Sequence, residues 1–454
     1  SQWLANAGAS YEIDQSIRFN DDDSAYLTRT PGSAGNQRTF TFSTWVKFCT
    51  IKADNTLFSS WIASGASAYA LIYIDGTFNL RFEDQNNTKI ITDQVFRDTS
   101  AWYHVVVRVD TTDSTSGDRY QMYINGSRVT SFKTETQPAV NYQTNVNKTQ
   151  PHYLGRNGYS AAMLYSDLYQ AETHFIDGTA LDASSFGETN DDGVWIPVSY
   201  SGSYGTNGYF IDGRDSSDLG DDESGNGNDY ASSGLTSADQ VTDTPTDNFC
   251  VLSPIDKNSN FTLSDGNLTN SNGTNAQAAC FGTIAFDASD TDGFYWEVDC
   301  DSFASTGFAV LIADEAVNQT DISAAPTTQP AEGNLWAHRR YKDDSNGGIT
   351  GVGATGSFAD YGPPAVNGNV IGYCVKNGKL FIAINNTWLE SSNPATEANP
   401  AFSNLSGNLR VGVNRFTDTG TDVTTLNFGQ TGFTYTPPTG AKAISTANLA
   451  TPTI

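Results

Sequence analysis

The sequence predicts an all-β protein, and three observations support this fold class. Short segments in which apolar and polar residues alternate recur along the chain, as half-buried strands do. Asn-Gly and Asp-Gly pairs, which favour the tight turns of β-hairpins, separate several of these segments. No amphipathic pattern is long enough for a substantial helix. Aromatic residues make up 12% of the chain and Gly accounts for 41 of its 454 residues, so core and turn residues are both abundant.

The first half of the chain contains the clearest elements. Strands are predicted at residues 40–47 and 102–110, where apolar side chains alternate with period two. Two hairpins are predicted, one at residues 69–82 with its turn at Asp75-Gly76 and one at residues 120–129 with its turn at Asn125-Gly126.

Weaker signals follow this region. A short helical turn is predicted at residues 182–186, with Asp182 as its N-cap. Residues 209–211 are apolar enough to add one more strand to the first sandwich.

The second half follows the same rules. Its predicted elements are a hairpin at residues 260–269 turning at Asp265-Gly266, strands at 293–299 and 307–313, and a central hairpin formed by 370–375 and 379–384 around Asn377-Gly378. The whole chain therefore reads as many short strands joined by turns, which is typical of β-sandwiches.

The domain organisation follows from length and from a change in composition. A chain of 454 residues is too long for one ordinary core, so two or three domains are expected. Residues 189–249 become rich in Gly, Tyr and Asp, and residues 242–248 contain the Pro and Asp of a boundary. We therefore predict an N-terminal anchor or tail at 1–14, a first sandwich at 15–248 and a second sandwich at 249–454.

Four segments of the first sandwich resemble a LamG-like jelly roll of the concanavalin A type. They are Phe40-Thr-Phe-Ser-Thr-Trp45, Trp102-Tyr-His-Val105, Met122-Tyr-Ile-Asn-Gly126 and Leu154-Gly-Arg156. The resemblance covers about residues 15–188. It implies a two-sheet sandwich, and in that family the fold carries sugar binding, often with calcium, or serves as a scaffold.

The second sandwich resembles a SPRY domain. The resemblance is carried by residues 368–386 and by the closing stretch Leu426-Asn-Phe-Gly-Gln-Thr-Gly-Phe433, and it covers about residues 250–449. The combination of modules looks most like structural proteins of marine tailed bacteriophages. This resemblance implies a virion protein, assembled in the host cytoplasm, that binds or decorates.

Charge and cysteine content exclude several classes of function. The net charge of -27 disfavours nucleic-acid binding, because such a chain repels phosphate backbones. No apolar run is long enough to insert into a membrane, and the first residues lack the order of a secretory signal. The five cysteines are dispersed without a zinc spacing, so free, buried thiols are expected.

No catalytic motif stands out. The strongest candidate is Glu297, Asp299 and Asp301, which alternate along a predicted strand as the carboxylates of jelly-roll glycoside hydrolases do. However, Asp301 stands where such enzymes carry Glu, and an ordinary strand with one acidic edge explains the pattern. His104, in the middle of a strand, is interpreted as a packed, hydrogen-bonded residue. We therefore predict that the protein is not an enzyme.

Two segments are candidate binding sites. An aromatic-basic cluster in an otherwise acidic chain could stack on a sugar or pair with an anionic partner, and it consists of Trp336, His338, Arg339, Arg340 and Tyr341. An acidic loop could supply oxygen ligands to calcium, and its candidates are Asp212, Asp215, Asp218, Asp221 and Asp222. Each segment has a plainer interpretation, as a loop attached to its own domain or as a solvated acidic loop.

The combined prediction is a phage virion protein of structural and adhesive type: a fibre, a tail appendage or a capsid decoration. Its expected partners are other virion proteins and a host-surface glycan, with no required cofactor apart from the calcium considered above. Fibres and decorations are commonly homo-oligomers such as trimers, although no coiled-coil heptad specifies one here. The alternatives are a tail-associated polysaccharide depolymerase and an architectural decoration protein without a ligand.

Overall fold

The computed structural model describes residues 11–50, 52–61, 68–85, 88–158, 164–272, 278–302, 308–322, 330, 333–340, 348–350, 359–363, 366–415 and 422–450. The chain divides into two compact units, Ser1–Asn248 and Phe249–Ile454. Each unit is built from antiparallel strands, and no α-helix occurs among the residues described. The all-β prediction is therefore confirmed.

The strands of the first unit are short and closely spaced. They are β1 (Ser16–Phe19), β2 (Tyr26–Arg29), β3 (Thr39–Phe48), β4 (Thr56–Trp61), β5 (Tyr69–Ile74), β6 (Asn79–Asp84), β7 (Thr88–Val95), β8 (Trp102–Asp110), β9 (Tyr120–Ile124), β10 (Ser127–Arg128), β11 (Phe132–Thr136), β12 (His152–Leu154), β13 (Arg156–Asn157), β14 (Leu164–Tyr165), β15 (Leu168–Asp177), β16 (Gly187–Thr189), β17 (Trp195–Pro197), β18 (Tyr209–Ile211), β19 (Ala231–Ser233) and β20 (Gln240–Val241).

Two large sheets form the sandwich of the first unit. One has the order β10-β9-β8-β3-β15-β1-β20 with β18 paired to β15, and the other has the order β11-β7-β6-β5-β4-β12-β2-β19. Their inner faces meet in one apolar core, where for example the rings of Phe42 and Phe58 lie 5.4 Å apart. The pairing of β18 confirms that residues 209–211 add a strand to this sandwich.

The outer face of the β3–β15 sheet is also covered. Residues of the chain's own N-terminal segment and of the stretch that precedes residue 249 pack on it, in a cluster that includes Tyr11, Ile13, Trp45, Trp102 and Val241. The backbone of Ile13 bonds to Thr246 Oγ1 in both directions, at 3.1 and 3.0 Å. Residues 11–14 therefore belong to the first unit and are not a tail, whereas the rest of the predicted anchor, residues 1–10, lies outside the described residues.

The second unit repeats the sandwich plan. Its strands are β21 (Leu252–Lys257), β22 (Phe261–Ser264), β23 (Thr269–Asn272), β24 (Ala278–Asp287), β25 (Phe294–Ser302), β26 (Phe308–Asp314), β27 (Leu335–Arg340), β28 (Gly348–Thr350), β29 (Ala359–Asp360), β30 (Val370–Lys376), β31 (Lys379–Ile384), β32 (Thr387–Trp388), β33 (Asn408–Arg415) and β34 (Val423–Asn427). The sheet orders are β21-β24-β33-β26-β27-β28-β29 and β22-β23-β34-β25-β30-β31-β32.

Two of the four predicted turns are confirmed and two are corrected. Asn125-Gly126 and Asn377-Gly378 adopt positive φ at both positions, as a type I′ turn requires. The hairpin of β5 and β6 does not turn at Asp75-Gly76 alone. Its loop spans residues 75–78, with Phe78 at φ 65° and Phe78 N–H donating to Asp75 O at 2.8 Å. The loop is longer because Ile74 pairs with Leu80, which leaves more than two residues between the strands. In the hairpin of β22 and β23, Ser264 pairs with Thr269, so the loop spans residues 265–268 and does not turn at Asp265-Gly266 alone.

Three smaller predictions are also settled. The helical turn forms as a 3-10 helix at Ala183–Ser185, and the side chain of Asp182 accepts from Ser184 N–H as an N-cap. All five cysteines are free and buried. No helix in the described part of the chain has the length and apolar character needed to cross a membrane.

Candidate ligand-binding cleft

The aspartates predicted as calcium ligands lie in the loop after β18, and they do not converge. Asp215 and Asp218 are exposed, and each accepts a hydrogen bond from a backbone N–H two residues ahead. A carboxylate that caps its own turn points toward its own backbone and not toward a shared centre. Among the residues described, no group of three or more His, Cys, Asp or Glu side chains is placed to hold a metal ion. The structure therefore does not bring the five carboxylates together, and calcium binding by this loop stays a prediction.

Asp222 organises this loop instead. Its Oδ1 accepts from the backbone N–H groups of Phe210 at 2.8 Å and Ser224 at 2.9 Å. Its Oδ2 accepts from Ser224 Oγ and from the N–H of Asn228, both at 2.8 Å. Four donors satisfy the buried carboxylate, so it serves to attach the loop to β18.

The predicted aromatic-basic cluster lies largely on β27, and two of its members face the core of the second unit. Trp336 and His338 are 1% and 0% exposed. Trp336 Nε1 donates to Asn404 Oδ1 at 3.1 Å, and His338 Nδ1 lies 2.8 Å from Tyr373 Oη. The structure places both side chains on the inner face of the sheet, because residues two apart on a strand point to the same side, and it does not bring them to the surface where a ligand would bind.

The remaining members of that cluster are not brought together with them. Arg339 is half-buried, and alternation along β27 directs it to the opposite face. The side chain of Arg340 and the whole of Tyr341 lie outside the described residues. A ligand contact by Arg339, Arg340 or Tyr341 stays a prediction.

Glu297, the first residue of the candidate catalytic triplet, has a structural role. It is fully buried, and its carboxylate accepts from the backbone N–H of Thr434 at 2.7 Å and of Tyr435 at 2.9 Å. Tyr295 Oη donates to the same group at 3.0 Å. Glu297 therefore attaches the C-terminal segment to β25, and no oxygen is left open for acid-base chemistry on a substrate.

Asp299 and Asp301 do not complete a catalytic pair. Burial, and then the neighbouring Asp301 carboxylate, raise the pKa of Asp299 to about 6. Asp301 accepts from Thr425 Oγ1 at 2.8 Å on the adjacent β34. These contacts agree with the plainer interpretation of a strand that carries one acidic edge.

A polar cleft in the first unit is a further candidate site among the residues described. The cleft itself holds about 150 Å³, and the space reaches about 440 Å³ when open solvent is included. Its lining residues are Tyr11, Glu12, Ile13, Asp14, Gln15, Glu172, Asp212 and Arg214.

A β-bulge places Glu172 in this cleft. β15 pairs with β3 at Ala171↔Trp45 and resumes at His174↔Ser43, so β15 contains one residue more than its partner at this point. Glu172 adopts φ 46°, a left-handed conformation that is uncommon for a residue other than Gly, Asn or Asp. Bulges of this kind redirect a side chain, and here the redirected side chain is a carboxylate in a cleft wall.

Glu172 is held by aromatic neighbours. It is 6% exposed, Tyr11 Oη donates to its Oε1, and His174 Nε2 lies 3.6 Å from its Oε2. Burial, and then the charge of Glu172, raise the pKa of Tyr11 far above its usual range. His174 stacks on Phe210 with ring centroids 4.4 Å apart, and its Nδ1 lies 3.0 Å from Tyr204 Oη. The carboxylate therefore has a fixed position.

Asp212 and Arg214 form the opposite part of the cleft. The Arg214 guanidinium lies 2.9 Å from Asp212 Oδ2, and the Arg214 N–H donates to Asp212 Oδ1 at 2.9 Å. Burial raises the pKa of Asp212, Glu172 raises it further, and Arg214 opposes both. The Arg214 side chain is 64% exposed, so its guanidinium can donate to a ligand while it pairs with Asp212.

Sequence reasoning missed most of this cleft. Tyr11 and Glu172 are 161 residues apart in the chain, and the sequence predicts neither of them as a binding residue. It predicts Asp212 only as a calcium ligand. The available signal is the stretch Ala171-Glu172-Thr173-His174, where several polar residues interrupt the alternation of β15.

Comparison with known proteins agrees with the sandwich fold. Residues 20–166 match the laminin G family model of the concanavalin A-like lectin/glucanases superfamily. The mouse laminin alpha1 chain, domains LG4-5, is 10% identical, with 90% of this chain and 84% of that chain covered and a TM-score of 0.29. The SPRY domain of human HERC1 is 9% identical, with 39% and 96% covered and a TM-score of 0.28.

A third similar structure is the carbohydrate-binding module CBM66 from Bacillus subtilis, at 8% identity, with 37% of this chain and 89% of that chain covered and a TM-score of 0.25. No curated protein sequence matches the chain. Because these identities and TM-scores are low, the fold assignment rests on the sheets described above and on the family match. The first unit thus has a lectin-like β-sandwich fold.

Proposed function

We propose that this chain is a binding protein without catalytic activity, an adhesive structural component of a tailed-phage particle, and that the cleft beside the β15 bulge binds a glycan. The observation that carries the binding role is the fixed Glu172 carboxylate, which lines the same cleft as the Asp212–Arg214 pair. The lectin-like family match of residues 20–166 supports a ligand of this class.

The chemistry of the cleft suits sugar hydroxyl groups. A hydroxyl both donates and accepts, so it can donate to Glu172 or Asp212 and accept from Arg214 or Gln15. Hydrogen bonds to charged groups are stronger than those between neutral groups, and this favours polyols over apolar ligands. Carboxylates outnumber cations in the lining, so we propose a neutral or amine-bearing glycan, and anionic sugars should be repelled.

The virion context rests on the sequence resemblance to phage proteins that combine LamG-like and SPRY-like modules. In this proposal the particle is the location, the partners are other virion proteins and a host-surface glycan, and the assembled form is a homo-oligomer such as a trimer. Cleavage of the glycan is not proposed, because Glu297 is occupied by backbone donors.

The test is glycan-array binding by the purified protein, with host-surface polysaccharide among the probes and with calcium either added or removed by chelation. We expect Arg214→Ala and Glu172→Gln each to weaken binding about tenfold, because a charge-assisted hydrogen bond is lost or reduced to a neutral one. Asp215→Asn is the matched control, since Asp215 is exposed in the same acidic loop but does not line the cleft.

Each outcome is informative. Equal binding by all variants would move the ligand away from the cleft, and release of shorter products would restore the depolymerase alternative. Binding that needs calcium would add a metal to the site. The absence of binding to every probe would favour the architectural alternative.

A further inference from the structure

A buried group of three side chains in the first unit joins the C-terminal end of β3 to the last residue of that unit. Lys47 Nζ lies 2.8 Å from Asp243 Oδ2 and 2.7 Å from Asn248 Oδ1. The side chains of Lys47 and Asp243 are 1% and 0% exposed, and Asn248 is 7% exposed. An amine, an amide and a carboxylate thus share one dry site, and 201 residues separate Lys47 from Asn248.

The surroundings hold all three groups in place. Trp102 Nε1 donates to Asp243 Oδ1 at 3.0 Å, and the Tyr169 ring centroid lies 5.8 Å from Lys47 Nζ. On the far side, Asn248 Nδ2 donates to Ser100 O at 2.7 Å. The amide of Asn248 is therefore oriented with its oxygen toward the amine and its nitrogen away from it.

We propose that Lys47 and Asn248 form an intramolecular amide cross-link, with Asp243 as the catalytic residue. The Lys47 ammonium gives a proton to Asp243, and the neutral Nζ attacks Cγ of Asn248. The Nζ–Cγ bond forms and the Cγ–Nδ2 bond breaks. Once Nδ2 has released Ser100 O and turned toward Asp243, the Asp243 carboxyl group passes its proton to Nδ2 and takes one from Nζ, so that Nδ2 leaves as ammonia. No oxidant, reductant or other reactant is needed.

Burial favours the first step. Transfer of the proton converts a buried ammonium and carboxylate into two neutral groups, and a dry site disfavours charges more than neutral groups. Fixed proximity then replaces a collision between amine and amide by a reaction within one molecule, which lowers the barrier to bond formation.

Other lysine–asparagine contacts in the described part of the chain lack this combination. Lys148 donates to Asn145, which also bonds to Asp84, but Lys148 is only half-buried and lies three residues from its partner. Lys133 Nζ lies 3.4 Å from Asn79 Oδ1 and is exposed. Water competes for both of these amines, so we expect no cross-link there.

The cross-link would have a mechanical consequence. Parts of the stretch 178–248, such as Phe186 and Trp195, pack on the outer face of the β3–β15 sheet, and the stretch ends at Asn248, where the first compact unit ends. A bond from Asn248 to β3 would let tension on the following chain pass directly into the central strand. The covering segment could then not be peeled away, which is a useful property in any protein that must resist pulling.

Mass spectrometry of the full chain tests the cross-link. The folded wild type should be lighter than its sequence by one ammonia, and proteolysis should release one branched peptide that joins the Lys47 and Asn248 fragments. Asp243→Asn should have the full mass and give no branched peptide. Lys148→Met is the matched control and should retain the cross-link.

The branched peptide is required because an Asn-Gly turn also loses ammonia when it cyclises, and such a loss would leave the two fragments separate. A folded wild type with linear Lys47 and Asn248 fragments would overturn the proposal. If Asp243→Asn fails to fold, Lys47→Gln and Asn248→Ala replace it, and persistence of the branched species in either would equally overturn the assignment.

Discussion

At the scale of single residues, buried polar groups act mainly through fixed hydrogen bonds. His104 illustrates this: burial lowers its pKa to about 3, so the ring is neutral at pH 7. Its Nδ1 accepts from Trp195 Nε1 at 3.1 Å, and its Nε2 lies 2.9 Å from Ser43 Oγ. The interpretation of His104 as a packed, hydrogen-bonded residue is confirmed. Both ring nitrogens are occupied, so His104 offers no free base.

Asp167 provides a pH-dependence test. Burial, and then the charge of Asp21, raise the pKa of Asp167 to about 7, while Lys52 opposes the shift. An unfolded Asp has a pKa of about 3.9, so the folded state binds the proton more tightly. The contribution of this group to stability is therefore complete below about pH 4 and is lost as the pH rises through about 7.

We expect Asp167→Asn to stabilise the protein relative to wild type at pH 8, by at most about 4 kcal/mol, and to have little effect at pH 4. Urea unfolding at the two pH values measures this difference. Asp191→Asn, at an exposed position, is the control and should match wild type at both. A constant difference between Asp167→Asn and wild type at all pH values would contradict the prediction.

At the scale of elements, turn chemistry and bulges determine where strands end and where side chains point. The hairpin of β9 and β10 shows the first effect, since Asn125 and Gly126 adopt φ 46° and 78°. A Cβ on Gly126 would also lie 2.3 Å from the ring of Trp195. Local sequence predicted the turn, but the contact with Trp195, distant in the chain, appears only in the folded structure.

Gly126→Ala tests this turn. We expect it to lower the stability by about 2 kcal/mol or more, because a left-handed conformation costs about 1–2 kcal/mol for Ala and the Trp195 ring must also move. Thermal unfolding measures the change. Gly117→Ala is the matched control, because nothing lies within 4 Å of a Cβ built there and its φ is not positive. Equal melting temperatures for the two variants would show that the turn tolerates a side chain.

At the scale of the whole molecule, the chain is two sandwiches in sequence. Each unit has its own apolar core, and the change from one to the other falls between Asn248 and Phe249. Every residue of the candidate cleft and of the proposed cross-link belongs to the first unit. Folding and glycan binding should therefore be separable from the second unit.

Residues 1–248 and 249–454, each produced alone, should unfold cooperatively, because each retains a complete core. The first fragment should bind the same glycans as the full chain with an unchanged affinity. Calorimetry and the glycan array measure the two properties. A first fragment that folds but has lost binding would place part of the site in the second unit.

The sequence alone determined the all-β class, most of the strands and two of the four predicted turns, because alternation and Asn-Gly chemistry act over a few residues. The tertiary structure alone decided which side chains meet. The cleft joins Tyr11 to Glu172 through one extra residue in β15, and the buried site joins Lys47 to Asn248 across 201 residues. Periodicity assigns a residue to a face of its strand, but convergence depends on strand order, register and bulges, which are set by long-range packing. For the same reason Trp336 and His338, prominent in the sequence, lie inside the core, while Glu172, unremarked in the sequence, lines the cleft.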